Sequence, residues 1–381
     1  MIPKRISEMT SFIVMDVLER AKEMERAGMD IIHLEVGEPD FPPPACVGRA
    51  IRRALDEGHT HYTHSLGMIE LREAVAEHYR ERYGVPVDPG QVVVSSGTSP
   101  AMLSMFSVLL DKGSRVVIPD PHYACYPNFI RYMEGEAVTV PVYEEEGFQY
   151  RPEEVRRAIT AKTAAILINS PANPTGAVLS ADRMEEIAGL GPYIISDEIY
   201  HGLNYGGSEH TILEFTDRAF VLNGFSKLFA MTGLRLGYLI APRAFIPSLQ
   251  KIQQNFFLAP NSVSQVAGIA ALKEGWDDVA GMREIYDKRR RYMIDRLREI
   301  GFKIPVEPTG AFYVFANARW ISGDSYRLAF DILEKARVGV TPGIDFGSGG
   351  EGFLRFSYAN SMENIEEGLN RLERYVIGRT K

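Results

Sequence analysis

The chain has 381 residues, of which 45% are hydrophobic and 24% charged, with 42 basic against 50 acidic side chains and a formal net charge of −8. At roughly 150 residues per domain this predicts two globular domains, with enough core to need no staple, and the composition excludes collagen-like repeats and wholesale disorder. The acidic balance argues against gripping a nucleic-acid backbone, and the two cysteines, Cys46 and Cys125, make neither a disulfide framework nor a four-cysteine metal site.

Residues 12–27 place Val14, Val17, Leu18, Ala21 and Met24 on one face of a helix, with Gly28 positioned to end it. A short strand over Ile31–Val36 then runs into Gly37-Glu-Pro-Asp-Phe-Pro-Pro-Pro, a loop by its prolines. Further on, short runs rich in Val, Ile and Leu recur. They are Gln91–Ser95, Arg115–Ile118, Ala137–Val142, Ala164–Asn169, Tyr193–Ser196, Phe220–Asn223 and Leu236–Ala241. Such runs are nearly continuous rather than alternating with polar residues, as in strands buried on both faces of a mostly parallel sheet between helices. A long charged helix follows over Asp277–Ile300, and the chain closes with a strand, Phe353–Tyr358, and a helix, Asn364–Val376. The expected division is a large domain over 40–280 and a smaller α+β domain built from both chain ends, 1–39 and 281–381. No apolar run approaches the roughly 18 residues of a membrane span, and no signal-peptide core precedes the first helix. With so few cysteines, a cytoplasmic location is expected.

Chemistry concentrates where predicted strands end. In Ser95-Ser96-Gly97-Thr98-Ser99-Pro100, Gly97 permits a tight turn, Thr98 or Ser99 suits a helix cap, and Pro100 suits the first helical position. A helix start with free N–H groups and nearby hydroxyls is an anion site, although an ordinary strand–turn–helix reads the same way. Neither a Walker loop nor the dinucleotide glycine fingerprint occurs here. Three further polar loops follow predicted strands: Ser170-Pro-Ala-Asn173-Pro174-Thr-Gly176, Asp197-Glu-Ile-Tyr200, and Gly224-Phe-Ser226-Lys227. The carboxyl edge of a parallel sheet is where open α/β folds bind ligands. Taken singly, Asp197 reads equally as a helix cap and Lys227 as a solvated lysine. Lys227 nevertheless lies among Phe225, Leu228, Phe229 and Met231, where desolvation favours the neutral amine that forms imines. Arg235 follows at the start of a strand and offers a guanidinium fork to a phosphate.

With these residues the chain resembles the class I and II aminotransferases, pyridoxal-phosphate enzymes of fold type I related to aspartate aminotransferase. The resemblance spans nearly the whole chain in the family's order. It rests on Gly37-Glu-Pro-Asp-Phe, Tyr62-Thr63 through Gly67, Gly97-Thr98-Ser99, Tyr123 in His-Tyr-Ala-Cys-Tyr-Pro, Asn173-Pro174-Thr175-Gly176, Asp197-Glu-Ile-Tyr200, Ser226-Lys227 with Gly233-x-Arg235-x-Gly237, and Arg355.

The resemblance implies transfer of an amino group from an L-amino acid to a 2-oxo acid, such as 2-oxoglutarate or pyruvate, by a ping-pong mechanism. It makes Lys227 the imine-forming lysine that then moves the proton between substrate Cα and cofactor C4′. Asp197 pairs with the pyridine nitrogen, keeping the ring an electron sink, and Asn173 and Tyr200 bond its phenolic oxygen. Tyr123 stacks on the ring, and Gly97, Thr98, Ser99, Ser226 and Arg235 form the phosphate cup. Tyr62 reaches the phosphate from a neighbouring subunit, implying a homodimer with shared active sites. Arg355 clamps the α-carboxylate bidentately, assisted by the Gly37 backbone and Asn173. From the residues alone, Arg355 reads equally as an edge-strand arginine in water.

Phe12, Ile13, Val14 and Met15 resemble the segment that borders the substrate side chain, and their apolar character tilts towards alanine, aliphatic or aromatic donors over aspartate. Helix core explains them as well, and no arginine for a distal carboxylate is identifiable. His59, His61 and His64 lack the companions of a metal site, and Lys288-Arg-Arg-Arg291 reads as a solvated helix face. No metal, nucleic-acid or membrane partner is expected. Two rival readings use the same features: a carbon–sulfur lyase on the same scaffold, and a non-enzymatic regulator that senses the cofactor.

Overall fold

The computed structural model describes residues 2–379. Its first strands are β1 (Ile32–His33), β2 (Val92–Ser95), β3 (Arg115–Asp120), β4 (Glu136–Pro141), β5 (Thr163–Asn169) and β6 (Tyr193–Asp197). They are followed by β7 (Ala219–Gly224), β8 (Gly237–Ile240), β9 (Tyr313–Asn317), β10 (Val338–Gly339), β11 (Thr341–Pro342) and β12 (Phe353–Ser357). The seven predicted apolar runs all enter one sheet, in the order β2-β8-β7-β6-β5-β3-β4. Only β8 runs antiparallel to its neighbours.

Continuous hydrophobicity in these strands has a direct cause. Successive side chains point to opposite faces, and both faces are covered. Val93, Ile118, Leu167, Phe220 and Leu239 pack with Met105 and Phe106 of the helix Thr98–Leu109 on one side. Val94, Val117, Ile166, Val221 and Ile240 pack with Val75, Tyr79 and Ala271 on the other. The edge strand β4 departs from this expectation: of its six residues only Val140 is buried, because β3 is its one strand neighbour.

The expected strand over Ile31–Val36 is limited to β1, which pairs in parallel with the two-residue β10. Beyond Leu34 the chain leaves the ladder and turns into the site. β11, β12 and β9 form a second, antiparallel sheet with β12 in its centre. Arg355, opposite Thr341 and Phe315, is therefore 2% exposed, which corrects the reading of it as an arginine in water.

The helix Trp276–Ile300 brings a second correction. Lys288 and Arg291 are solvated, but Arg289 and Arg290 are buried on the helix's inner face. Arg289 bonds Asp40 at 2.9 Å and lies over the Phe41 ring, and Arg290 donates to the Pro308 carbonyl at 3.0 Å. Among the described residues no helix is long and apolar enough to cross a membrane.

Candidate active site

A cavity of about 400 Å³ opens at the carboxyl ends of the parallel strands, bordered by the helix Ile13–Arg26 and by β12. Gly37, Thr98, Ser99, Tyr123, Asn173, Asp197, Tyr200, Ser226, Lys227, Arg235 and Arg355 all line it. Gly97 lies beside it, where a Cβ would come within 2.5 Å of an Arg235 guanidinium nitrogen. Tyr62 is the exception: it lies on the surface, 85% exposed, and does not line the cavity.

At the mouth of β2 the helix begins at Thr98, with Gly97 in the N-cap position at φ 95°. Thr98 and Ser99 are thus the first helical residues rather than caps, and Pro100 is the third. No side chain caps this end, so the first-turn N–H groups and both hydroxyls remain for an anion. Gly237 lets β8 pass against this turn, since a Cβ there would sit 2.8 Å from the Gly97 carbonyl carbon. Arg235, just before β8, is held by a 2.9 Å bond from Nη1 to the Thr232 carbonyl. Glycine-lined backbone, free N–H groups, hydroxyls and a guanidinium suit a phosphate.

Lys227 follows β7, and its Nζ donates to the Gly37 carbonyl at 2.6 Å. Burial lowers its pKa to about 8, with Arg355 and Arg235 adding to the effect and Glu38 opposing it. The neutral amine, which a proton carrier requires, is therefore about a tenth of the population at pH 7, far more than for a lysine at its ordinary value.

Asp197 ends β6, in register with Asn169 at the end of β5. Its Oδ2 accepts from Tyr126 Oη at 2.7 Å and its Oδ1 from the Ile199 N–H at 3.2 Å. Burial still raises its pKa to about 6 against these two bonds. A cationic ring nitrogen alongside would restore the carboxylate, so the position suits a positively charged heterocycle.

Arg355 donates from Nη1 to Asn173 Oδ1 at 2.8 Å and from Nη2 to the Glu35 carbonyl at 2.7 Å and Thr341 Oγ1 at 3.1 Å. Its Nε is buried without a protein partner. The guanidinium lies 4.3 Å from the Tyr313 ring centroid, and Tyr313 and Tyr200 share a hydroxyl–hydroxyl bond of 2.8 Å. Gly37 allows this approach, because a Cβ there would collide with the Tyr313 hydroxyl.

Five polar residues of the cavity lining were given no role in the sequence reading, Glu38 and Thr232 among them; the other three are bonded to or packed on the residues above. Tyr126 lies in the quoted Tyr-Ala-Cys-Tyr-Pro segment but gives no local sign of reaching Asp197. Asn169 accepts the Asn173 N–H at 2.8 Å and donates to the Asp197 carbonyl at 2.9 Å; its place as the last residue of a strand run was its one signal. Tyr313 sits inside β9, where an aromatic reads as core. Among the described residues, no group of three or more His, Cys, Asp or Glu is placed to hold a metal.

Known proteins resemble this chain over nearly its whole length. The family model for aminotransferase class I and II matches residues 29–372. The (5-formylfuran-3-yl)methyl phosphate transaminase of Methanocaldococcus jannaschii is 40% identical over 380 residues, 99% of this chain and 100% of that protein. An aspartate aminotransferase of Pyrococcus horikoshii is 40% identical over 374 residues, 96% of this chain and 94% of that one. The solved aspartate aminotransferase of Thermus thermophilus with maleate superposes with a TM-score of 0.94 at 37% identity, covering 98% of this chain and 99% of the other.

Proposed function

Because the chain belongs to the class I and II aminotransferases, pyridoxal-phosphate enzymes that move an amino group from an L-amino acid to a 2-oxo acid by a ping-pong cycle, we propose the following roles for its residues. The phosphate sits on the start of the helix Thr98–Leu109, held by Gly97, Thr98, Ser99, Ser226 and Arg235. Tyr123 stacks on the ring, Asp197 holds its nitrogen, and Asn173 and Tyr200 hold its phenolic oxygen. When bound, the cofactor supplies a conjugated cationic ring that withdraws electrons from the substrate Cα.

The chain's own groups do the rest. Lys227 Nζ takes the proton from the substrate Cα. Arg355, with the Gly37 backbone and Asn173, orients the α-carboxylate so that this proton faces the lysine. Tyr126 and the Ile199 N–H orient the Asp197 carboxylate. The observation that carries the reading is that Lys227, Asp197 and Arg355 face one cavity although they come from the loop after β7, the end of β6 and the distant β12.

Further parts of the reading concern assembly and place. Tyr62, solvent-exposed in the single chain, reaches the phosphate of a second copy, so the working form is a homodimer with shared sites. Residues 1–39 and 281–381 form the small domain, joined by β1 against β10, and 40–280 form the large one. Two unpaired cysteines suit the cytoplasm. The roles are tested by mixing the holoenzyme with an amino donor and following the cofactor's visible spectrum. Arg355→Gln should raise KM for every donor by roughly tenfold to a hundredfold, as for loss of a charge-assisted bond, and an unchanged KM would overturn the clamp.

A further inference from the structure

His33, at the end of β1, has a carboxylate at each ring nitrogen. Nδ1 lies 2.6 Å from Glu35 Oε1, and Nε2 lies 3.1 Å from Glu25 Oε1 on the helix Ile13–Arg26. An ionised carboxylate only accepts, and a neutral imidazole carries a single N–H, so both bonds exist together only in the imidazolium. The pair with Glu35 is withdrawn from solvent, the two side chains being 20% and 0% exposed. Gly339, the partner of His33 in β10, makes room for it, since a Cβ there would collide with Glu35 Oε2. Asn360, after β12, is uncharged and donates to the His33 carbonyl at 2.8 Å. Lys22 stands behind Glu25, 2.8 Å from its Oε2. The helix Met362–Arg379 presents Gly368 to the strand, beside Ile32 and Leu34, and its Arg371 is turned to Asp30 and Glu367.

This pairing holds the stretch that enters the site. The Glu35 carbonyl accepts from Arg355 Nη2 at 2.7 Å and from Thr341 Oγ1 at 3.1 Å, and Thr341 Oγ1 itself accepts from the same Nη2 at 3.1 Å. Two residues on, the Gly37 carbonyl accepts from Lys227. On the other side, the Leu34 N–H donates to the Gly339 carbonyl at 3.0 Å and its carbonyl accepts the Ser357 N–H at 2.7 Å. Glu35 is therefore the residue at which the ladder ends and the site begins, with its side chain tied to His33 and its carbonyl to Arg355. All these partners belong to one chain. When His33 loses its proton, at most one N–H remains for two carboxylates, and the buried Glu35 loses its counter-charge.

We propose that His33 is a proton-dependent positioning residue for the α-carboxylate clamp. As the imidazolium it fixes the Glu35 carbonyl on which Arg355 rests, and on losing its proton it loosens the clamp, so that substrate binds more weakly on the alkaline side. The proposal rests on the assignment of Arg355 to the α-carboxylate. The bond to Glu35 raises the His33 pKa above 6.5, which puts the loss above that pH. Linkage runs both ways: if protonation tightens the ligand, the bound ligand raises the His33 pKa by the same free energy.

The test is half-reaction kinetics of the aminated holoenzyme with 2-oxoglutarate and with pyruvate, which carry no titrating amine, between about pH 6 and 9. Saturation gives Kd and the limiting rate separately. Lys227 titrates in this window in every variant, so the measurement is the difference between profiles. Kd of the parent should rise roughly threefold to tenfold as His33 titrates. His33→Gln, which cannot titrate, should hold Kd near the parent's alkaline value at every pH, with a limiting rate within about twofold of the parent's. Glu25→Gln, at a position 32% exposed, removes one carboxylate and lowers the His33 pKa, so the rise in Kd should move to lower pH even if His33→Gln fails to fold. In cofactor-loaded Lys227→Ala, which binds the acid without turning it over, NMR should show the His33 pKa raised by about a half to one when the acid is bound. A His33→Gln profile that superposes on the parent's, a Kd rise unmoved in Glu25→Gln, or a His33 pKa indifferent to the ligand overturns the proposal. So does a fall in limiting rate with Kd unchanged. If Arg355→Gln leaves Kd unchanged for both acids, the clamp assignment fails; a Kd governed by Arg355 but indifferent to His33 is a failure of this proposal alone.

Discussion

Tyr126 donates a 2.7 Å hydrogen bond to Oδ2 of Asp197, so the helix Tyr126–Tyr132 holds a carboxylate at the end of β6. The bond favours the ionised form, in opposition to the burial that raises Asp197 to about 6. In Tyr126→Phe that support is gone and the Asp197 pKa moves further up. The cationic ring of the bound cofactor lowers this pKa again, but turnover that needs the carboxylate is still lost as pH falls through it, so without Tyr126 the acidic limb of the pH–rate profile should shift to higher pH. Asp197→Ala should cost roughly a hundredfold or more in rate, as for a charged partner removed from a dry site, with cofactor retained by the phosphate cup. An unmoved acidic limb in Tyr126→Phe would refute the positioning role.

Lys227 lies part-buried in the cavity, and desolvation lowers its pKa to about 8. Borohydride treatment of the holoenzyme should attach the pyridoxyl group to this lysine, and Lys227→Ala should lose roughly a hundredfold to ten-thousandfold in turnover, the range for a positioned acid–base group. Cofactor should remain bound through its phosphate. A peptide map carrying the label on another lysine sinks the assignment.

Tyr62 is 85% exposed, and its proposed task exists only in a dimer. Tyr62→Phe should weaken cofactor retention by about 1–3 kcal/mol, as for loss of a charge-assisted bond. Co-assembly of Lys227→Ala with a strongly impaired Tyr62 variant puts both lesions in one site of a heterodimer and leaves the other site whole. Activity should recover towards one intact site per heterodimer. No recovery after verified subunit exchange, or a fully active monomer, decides against sharing.

His33 bridges Glu35 at 2.6 Å and Glu25 at 3.1 Å, tying β1 to the helix Ile13–Arg26. The bond to Glu35 raises its pKa above 6.5 against the opposing effect of burial. A raised folded-state pKa contributes stability fully present below 6.5, the unfolded value, and lost as pH rises through the higher folded value. Denaturant unfolding should therefore show stability falling over that window, and His33→Asn should flatten the fall. A variant with the same pH dependence as the parent would exclude His33 as its source.

Much of the site was legible because its signals are local. Two-faced burial writes itself into continuous Val, Ile and Leu runs, and all seven such runs proved to be strands of one sheet. The Gly97 turn, Asn173, Asp197, Lys227 and Arg235 sit at the ends of those runs, so a parallel sheet gathers them at one edge whatever the details of packing. Less legible were β4, whose edge position depends on strand order, and the start of the helix after β2, which lies two residues earlier than Pro100 suggested because Gly97 takes the cap.

The layered α/β architecture and the loops that carry the chemistry could be read from local patterns, since hydrophobic period and turn residues act within a few positions of one another. The partners of the polar groups are set instead by long-range packing. Tyr126 meets Asp197 across 71 residues, Tyr200 meets Tyr313 across 113, and Val14 meets Asp345 across 331. Burial of Arg289, Arg290 and Arg355 was decided in the same way. A buried polar side chain must find a partner wherever the packed elements bring one, and that location depends on sheet order and helix docking, which no local pattern encodes.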